Sequence, residues 1–195
     1  MRETTAIILA SGLSRRMDGV QKLLLPLGGL PMLQHTLDLV ASLPFSRTIL
    51  VTVPAVARQL QTTAEAILNP APEMGQSSSV RLGVQAALPG TSLLFLPGDQ
   101  PLLDTATLHA ILAADDGASI VYPVTADGTP KSPVLFAPRF REALLTLQGD
   151  EGGRQLRRQF PAACRAVPVS SDHILSDVDT PAEYEEILTH WEGRK

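Results

Sequence analysis

Apolar runs of strand length alternate along this chain with stretches whose apolar residues recur at helical spacing. Ile7-Ile8-Leu9-Ala10 is the first such run, and it breaks abruptly into small and basic residues. That pattern predicts a buried strand emptying into a loop. Leu33, Leu37 and Val40, with Thr36 between them, mark a helical face after Pro31, a residue placed to sit in a first helical turn. Residues 48–53 predict a second strand, 56–66 a helix and 67–69 a short third strand. Residues 77–88 read as a helix whose opening serines suit N-capping. The most continuously apolar run, 92–96, predicts a fourth strand at the centre of a sheet, and Asp104 is placed to cap a helix over 105–114. Two further strands are predicted at 119–124 and 133–137, and a last helix at 182–191. Residues 125–132 and the glycine-rich 148–154 predict loops.

This alternation implies an α/β fold, a mostly parallel sheet covered by helices on both faces. Ligands of such sheets sit outside the carboxyl ends of the strands, near the point where strand order reverses. No repeat, low-complexity tract or linker divides the chain, so a single domain over 1–195 is expected.

Composition narrows the partners. Hydrophobic residues make up 44% of the 195, enough for a substantial core. A net charge of −4 argues against non-specific nucleic-acid binding, so any basic site must be local. The single cysteine, Cys164, excludes an internal disulfide and reads as an incidental thiol suited to a reducing compartment. With no signal-peptide pattern and no apolar run near the roughly 20 residues of a membrane helix, the expectation is a cytoplasmic protein without a membrane partner.

Four places carry candidate chemistry. The first is the loop Ser11-Gly12-Leu13-Ser14-Arg15-Arg16-Met17-Asp18-Gly19, followed by Lys22. It lacks both the G-x-G-x-x-G of dinucleotide folds and the Gly-Lys-Ser/Thr of a Walker motif. Its backbone amides can still approach a nucleotide, and Arg15, Arg16 and Lys22 can neutralise a triphosphate. The bland alternative is a solvated surface loop. The second is Pro97-Gly98-Asp99-Gln100-Pro101, at the end of the most buried predicted strand. A carboxylate there suits a Mg²⁺ ligand on a rigid turn, the alternative being a turn cap. The third is Asp177-Val178-Asp179-Thr180-Pro181, either an ordinary helix start or a second carboxylate for the same ion. The fourth, Met74-Gly75-Gln76-Ser77-Ser78-Ser79-Val80-Arg81, suits either a base and ribose or an over-provided N-cap.

The order L-A-S-G-x-S-x-R-M-x-G-x-x-K, G-x-S-S-S-V-R-x-G, L-P-G-D-Q-P and D-V-D-T-P-x-E-Y resembles the MobA-like nucleotidyltransferases, and within them the molybdenum cofactor cytidylyltransferases. The resemblance runs from Ile7 to Tyr184 with motif order kept. It implies a Rossmann-like three-layer α/β fold, with an NTP-binding part over about 1–115 and an acceptor side over about 116–195. It also implies Mg²⁺-dependent transfer of CMP from CTP to the terminal phosphate of molybdopterin, with release of pyrophosphate. By resemblance, Leu9, Ala10, Ser11, Gly12, Arg15, Lys22, Gly75, Ser78, Pro97 and Gly98 bind the nucleotide. Arg16, Lys22 and Asp99 act on the reacting phosphates, and Asp99 and Asp179 hold the metal. Lys131, Gly152 and Arg154 fall on the acceptor side. Ser11 stands where the family usually has Ala or Gly, and Asp18 where it has Gly, a change that Gly19 can accommodate with a shifted turn.

A phosphate acceptor is already anionic, so in-line attack on the α-phosphorus needs no general base and rests on positioning and charge neutralisation. The rival readings are a guanylyltransferase or sugar-phosphate nucleotidyltransferase of the same fold, with GTP in place of CTP in the first case, and a non-catalytic cofactor carrier. A carrier or transferase of molybdenum cofactor would make transient contact with a molybdenum enzyme.

Overall fold

The computed structural model describes residues 2–17 and 19–192. Strand β1 (Thr4–Ala10) is buried along nearly its whole length, with Ile7 and Ile8 fully excluded from water. It pairs in parallel with β4 (Arg47–Thr52) on one side and β6 (Ser92–Pro97) on the other. Outside β4 lies β5 (Glu65–Leu68), also parallel. Beyond β6 the sheet continues with β8 (Val134–Phe136), β7 (Ile120–Val124) and β9 (Cys164–Pro168), giving the order β5-β4-β1-β6-β8-β7-β9. Only β8 runs against the rest, pairing antiparallel with both β6 and β7. The sheet is the expected mostly parallel α/β layer, and 92–96 lies in its middle strand.

The two faces of the sheet are separate cores. One packs α1 (Met32–Ala41), α4 (Thr105–Ala113) and α7 (Pro181–Glu192) around Ile8, Leu50, Leu94 and Leu96. The other packs α3 (Gln76–Ala86) and the short α5 (Arg141–Leu145) and α6 (Gly153–Gln159) around Ile7, Val51, Phe95 and Phe136. Each fully buried aliphatic side chain contributes roughly 1.5–3 kcal/mol, so β1 and β6, apolar towards both faces, are the keel of the fold.

Several expectations are corrected. The helix expected over 56–66 is one turn, α2 (Pro54–Ala57), and the chain then runs through turn, coil and bend until β5 begins at Glu65. The buried side chain of Gln34 explains this: its Nε2 donates to Gln61 O (2.7 Å) and its Oε1 accepts from Gln61 N–H (3.1 Å). Those contacts take backbone groups a helix would need. Pro31 stands one residue before α1, at its cap, because it also closes a hairpin of β2 (Pro26–Leu27) and β3 (Leu30–Pro31). Gly28-Gly29 form its turn, both at positive φ as a two-residue turn requires. A Cβ on Gly28 would lie 2.5 Å from the Trp191 ring, so α7 packs directly on the turn. At α3 the cap position is Gly75, and no serine caps it. Asp104 does cap α4, accepting from Thr107 N–H at 2.8 Å. The expected loop 148–154 ends early, its last two residues opening α6, and β9, α5 and α6 are too short or exposed to have left a periodic signal.

Candidate active site

The carboxyl ends of β1 and β6 open side by side where strand order diverges, above a cleft of about 420 Å³. The loop after β1 is held by its own polar residues. Ser14 Oγ donates to Gln21 Oε1 (2.8 Å) and accepts from Lys22 N–H (3.2 Å), while Gln21 Nε2 donates to Gly12 O (3.3 Å). Met17 is buried and pins the middle of the loop, so Arg15 and Arg16 stay at the cleft while Lys22 is drawn inward. Asp18 lies outside the described residues.

Lys22 is the centre of the site. Its ammonium contacts Asp99 and donates to Asp179 Oδ1 at 2.7 Å, and Arg16 pairs with Asp179 Oδ2 at 2.7 Å. The Lys22 side chain is only 10% exposed, so this pair is not a surface ion pair of negligible worth. Burial acts to lower its pKa, but the Asp99 and Asp179 carboxylates outweigh burial and hold the ammonium above its ordinary value. Burial likewise acts to raise Asp179, and its bonds and charge contacts with Lys22 and Arg16 outweigh it in the other direction.

Two distant segments meet here through backbone contacts. Val178 N–H donates to Asp99 O (3.0 Å), and Gln100 Nε2 donates to Leu175 O (3.1 Å), so the turn after β6 grips the strap leading into α7. Glu183 finishes the strap as a capping box, accepting from the N–H groups of Asp179 and Thr180, each at 2.8 Å. Asp177, on the same strap, lies 4.0 Å from Lys131 Nζ. Burial first, then the Asp99 charge, raises its pKa to about 6.

The opposite wall is the start of α3. Gly75 adopts a positive φ, and a Cβ there would lie 2.4 Å from Gly149 O. The glycine-rich loop is thereby seated on α3, where Ser77 N–H donates to Gly149 O (3.0 Å). Asn69 braces the same corner, donating to Ser78 Oγ (2.9 Å) and Ser79 Oγ (3.0 Å).

Of the residues singled out from sequence, Leu9, Ser11, Gly12, Arg15, Arg16, Lys22, Gly75, Pro97, Asp99 and Asp179 line the cleft. Ala10, Gly98 and Ser78 lie behind its wall: Gly98 N–H is bonded to Leu9 O, and the Ser78 hydroxyl donates to Gly75 O. Lys131 reaches the site only through Asp177. Gly152 is buried against Gln76, and Arg154 opens into a separate cleft with Tyr122, Arg157 and Arg158. The glycine-rich loop instead sends Asp150 to the cleft between the ends of β1 and β6, beside Glu73, Gln76 and Ser79, none of which was given a role of its own. Gln76 and Ser79 stood within the quoted motif, whereas nothing local marks Glu73 or Asp150. Ser11 Oγ is buried at the cleft without a hydrogen-bond partner, so a bound ligand would supply one.

The donor set fits a hard divalent cation. Two carboxylates converge on one cation-sized point that the Lys22 ammonium reaches, the kind of oxygen pair that Mg²⁺ or Mn²⁺ takes. Among the described residues no helix is long and apolar enough to cross a membrane.

A model of the MobA-like NTP transferase domain matches residues 6–166. Among solved structures, the Mycobacterium sp. strain JC1 homologue of Mycobacterium tuberculosis Rv0371c is 27% identical, with a TM-score of 0.88 over 98% of both chains. The Mycobacterium tuberculosis Rv0371c complex with manganese is 26% identical, with a TM-score of 0.80 over 96% of this chain and 98% of that one. The bifunctional protein GlmU of Paracidovorax citrulli is 31% identical over 62% of this chain, a match covering only 27% of GlmU. The chain thus spans about a quarter of the length of such curated relatives.

Proposed function

The chain belongs to the family of MobA-like NTP transferase domains, and on that premise we propose that it moves CMP from CTP onto the terminal phosphate of a molybdopterin-type acceptor. The observation that carries the reading is the convergence of Lys22, Asp99, Asp179 and Arg16 at the carboxyl ends of the two central strands. A terminal phosphate oxygen of the acceptor attacks the α-phosphorus of the nucleotide. A new P–O bond forms as the bond to the β-phosphate bridge breaks, and pyrophosphate leaves. Asp99 and Asp179 are the groups that would hold Mg²⁺, which when bound would neutralise phosphate oxygens. Lys22 and Arg16 stabilise charge on the α-phosphate and on departing pyrophosphate. Lys22 spans both carboxylates, and with a cation held by Asp99 and Asp179 its ammonium would be free to turn to the phosphates. Gly12 and its neighbours bring backbone amides to the triphosphate, and Ser11 Oγ supplies a further hydrogen bond.

Lys131, Gly152 and Arg154 are assigned to the acceptor, Lys131 beside Asp177 at the edge of the reacting centre and Arg154 in the neighbouring basic cleft. The small Ala10-Ser11-Gly12 loop and the Gly98-Asp99 turn favour CTP over GTP by resemblance. The test is pyrophosphate release with Mg²⁺, purified molybdenum cofactor, and CTP or GTP in parallel. Release supported by CTP is expected. Release with GTP alone overturns the nucleotide assignment, and nucleotide binding without turnover in either arm indicates a carrier.

A further inference from the structure

We propose that His173, Glu186 and His190 form a second metal site, for a transition ion such as Zn²⁺, on the outer side of α7 and chemically unlike the Asp99–Asp179 pair. Among the described residues this is the one place where three such side chains bring a ligand atom each within 4.8 Å of one another. Glu186 and His190 are one helical turn apart on α7, so both project from the same face. His173 comes from the one-turn helix Asp172–Leu175. Its ring lies over that of His190 with centroids 3.8 Å apart, and His190 Nε2 is 3.9 Å from Glu186 Oε1.

Two imidazolium cations at that distance repel, whereas a divalent ion shared by two neutral rings turns the same proximity into a chelate. A tetrahedral ion with bonds of about 2.1 Å draws its ligand atoms to roughly 3.4 Å apart. The remaining gap is closed by torsions of side chains that are free to move, since His173 and Glu186 are exposed. Their backbones are not free: Ile174, Leu175 and Ile187 are buried in the core beside them. Two imidazoles and one carboxylate select a borderline-soft ion over Mg²⁺, and three protein ligands leave a position for water.

The placement gives the ion a consequence. Residues 173 and 186–190 flank the strap carrying Asp177 and Asp179, so a bound ion cross-links that strap's two ends. The site rests on its own geometry and stands whether or not the nucleotide assignment does.

The test is titration of Zn²⁺, and of Co²⁺ for its visible absorption, into the purified protein in excess Mg²⁺, with calorimetry and thermal melting. One equivalent is expected to bind with micromolar or tighter affinity, to give a Co²⁺ spectrum with nitrogen ligation, and to raise the melting midpoint. His173→Ala and His190→Ala should each weaken binding about tenfold or more and abolish the metal-induced rise, and Glu186→Gln should weaken it less. These side chains contribute little to the core, so the metal-free variants should melt with the wild type. Absence of saturable binding in excess Mg²⁺, or binding unchanged in both histidine variants, overturns the proposal.

Discussion

Two clefts on this molecule gather basic side chains, and they are built on opposite principles. At the ends of β1 and β6, Lys22 and Arg16 are matched by Asp99 and Asp179, and the charges partly bury one another. Beside α6, Arg154, Arg157 and Arg158 line a cleft of about 400 Å³ without a carboxylate partner among the described residues. There burial lowers Arg157, Tyr122 opposes it, and the neighbouring Arg154 and Arg158 charges push the same way as burial. A cleft holding both signs can take a metal and a polyphosphate together and keep its geometry while empty. A cleft holding one sign can only attract an anion. The pairing therefore separates a site suited to chemistry from one suited to capture.

The largest effect expected from breaking this contrast is at Lys22. Lys22→Ala leaves two partly buried carboxylates facing each other and should cost about 3 kcal/mol of stability in denaturant melts, the low end for a broken buried pair because Asp179 is 34% exposed. Transfer rate should fall by ~10²-fold or more as the phosphate charge loses its partner. Next, Arg154→Ala should raise KM for the phosphorylated acceptor about tenfold, the worth of one charge-assisted bond, and leave KM for CTP unchanged in steady-state kinetics. A matching rise in KM for CTP would show that the two clefts are not separate in function.

A smaller effect is expected at Ser11, whose buried hydroxyl has no partner. Ser11→Ala should raise KM for CTP a few-fold, while the melting midpoint of the nucleotide-free protein stays level or rises, since an unpaired buried group is removed. The smallest is a pH effect at Asp177. Its carboxyl is raised from 3.8 to about 6, so the folded chain binds more protons in that window and loses stability as pH rises through it. Asp177→Asn should raise the melting midpoint above about pH 6, with the gain closing as pH falls towards 4.

The same contrast explains how far the sequence could be read. β1, β4 and β6 are covered on both faces, so their apolar runs are continuous and their ends were placed within a few residues. The loop after β1 and Asp99 follow such strands directly, which is why local spacing picked them out. β9 is an edge strand exposed at most positions, and α5 has five residues, so neither carries a period to detect. Asp150 and Glu73 reach the cleft through long-range contacts, Gly149 resting on Gly75, that no local pattern encodes. The irregular stretch after α2 is held by Gln34, 27 residues away in sequence. Resemblance put Arg154 on the acceptor side, yet what distinguishes its surroundings is the lack of carboxylates, visible only in three dimensions.

The proposed chemistry stands or falls on Asp99, at the paired centre, acting in metal-dependent nucleotidyl transfer. Pyrophosphate release from CTP, with Mg²⁺ and molybdenum cofactor, measured for wild type and for a folded Asp99→Asn variant, tests it most directly. A loss of ~10²-fold or more is expected, with the melting transition still cooperative. Near-wild-type release from the folded variant would contradict it.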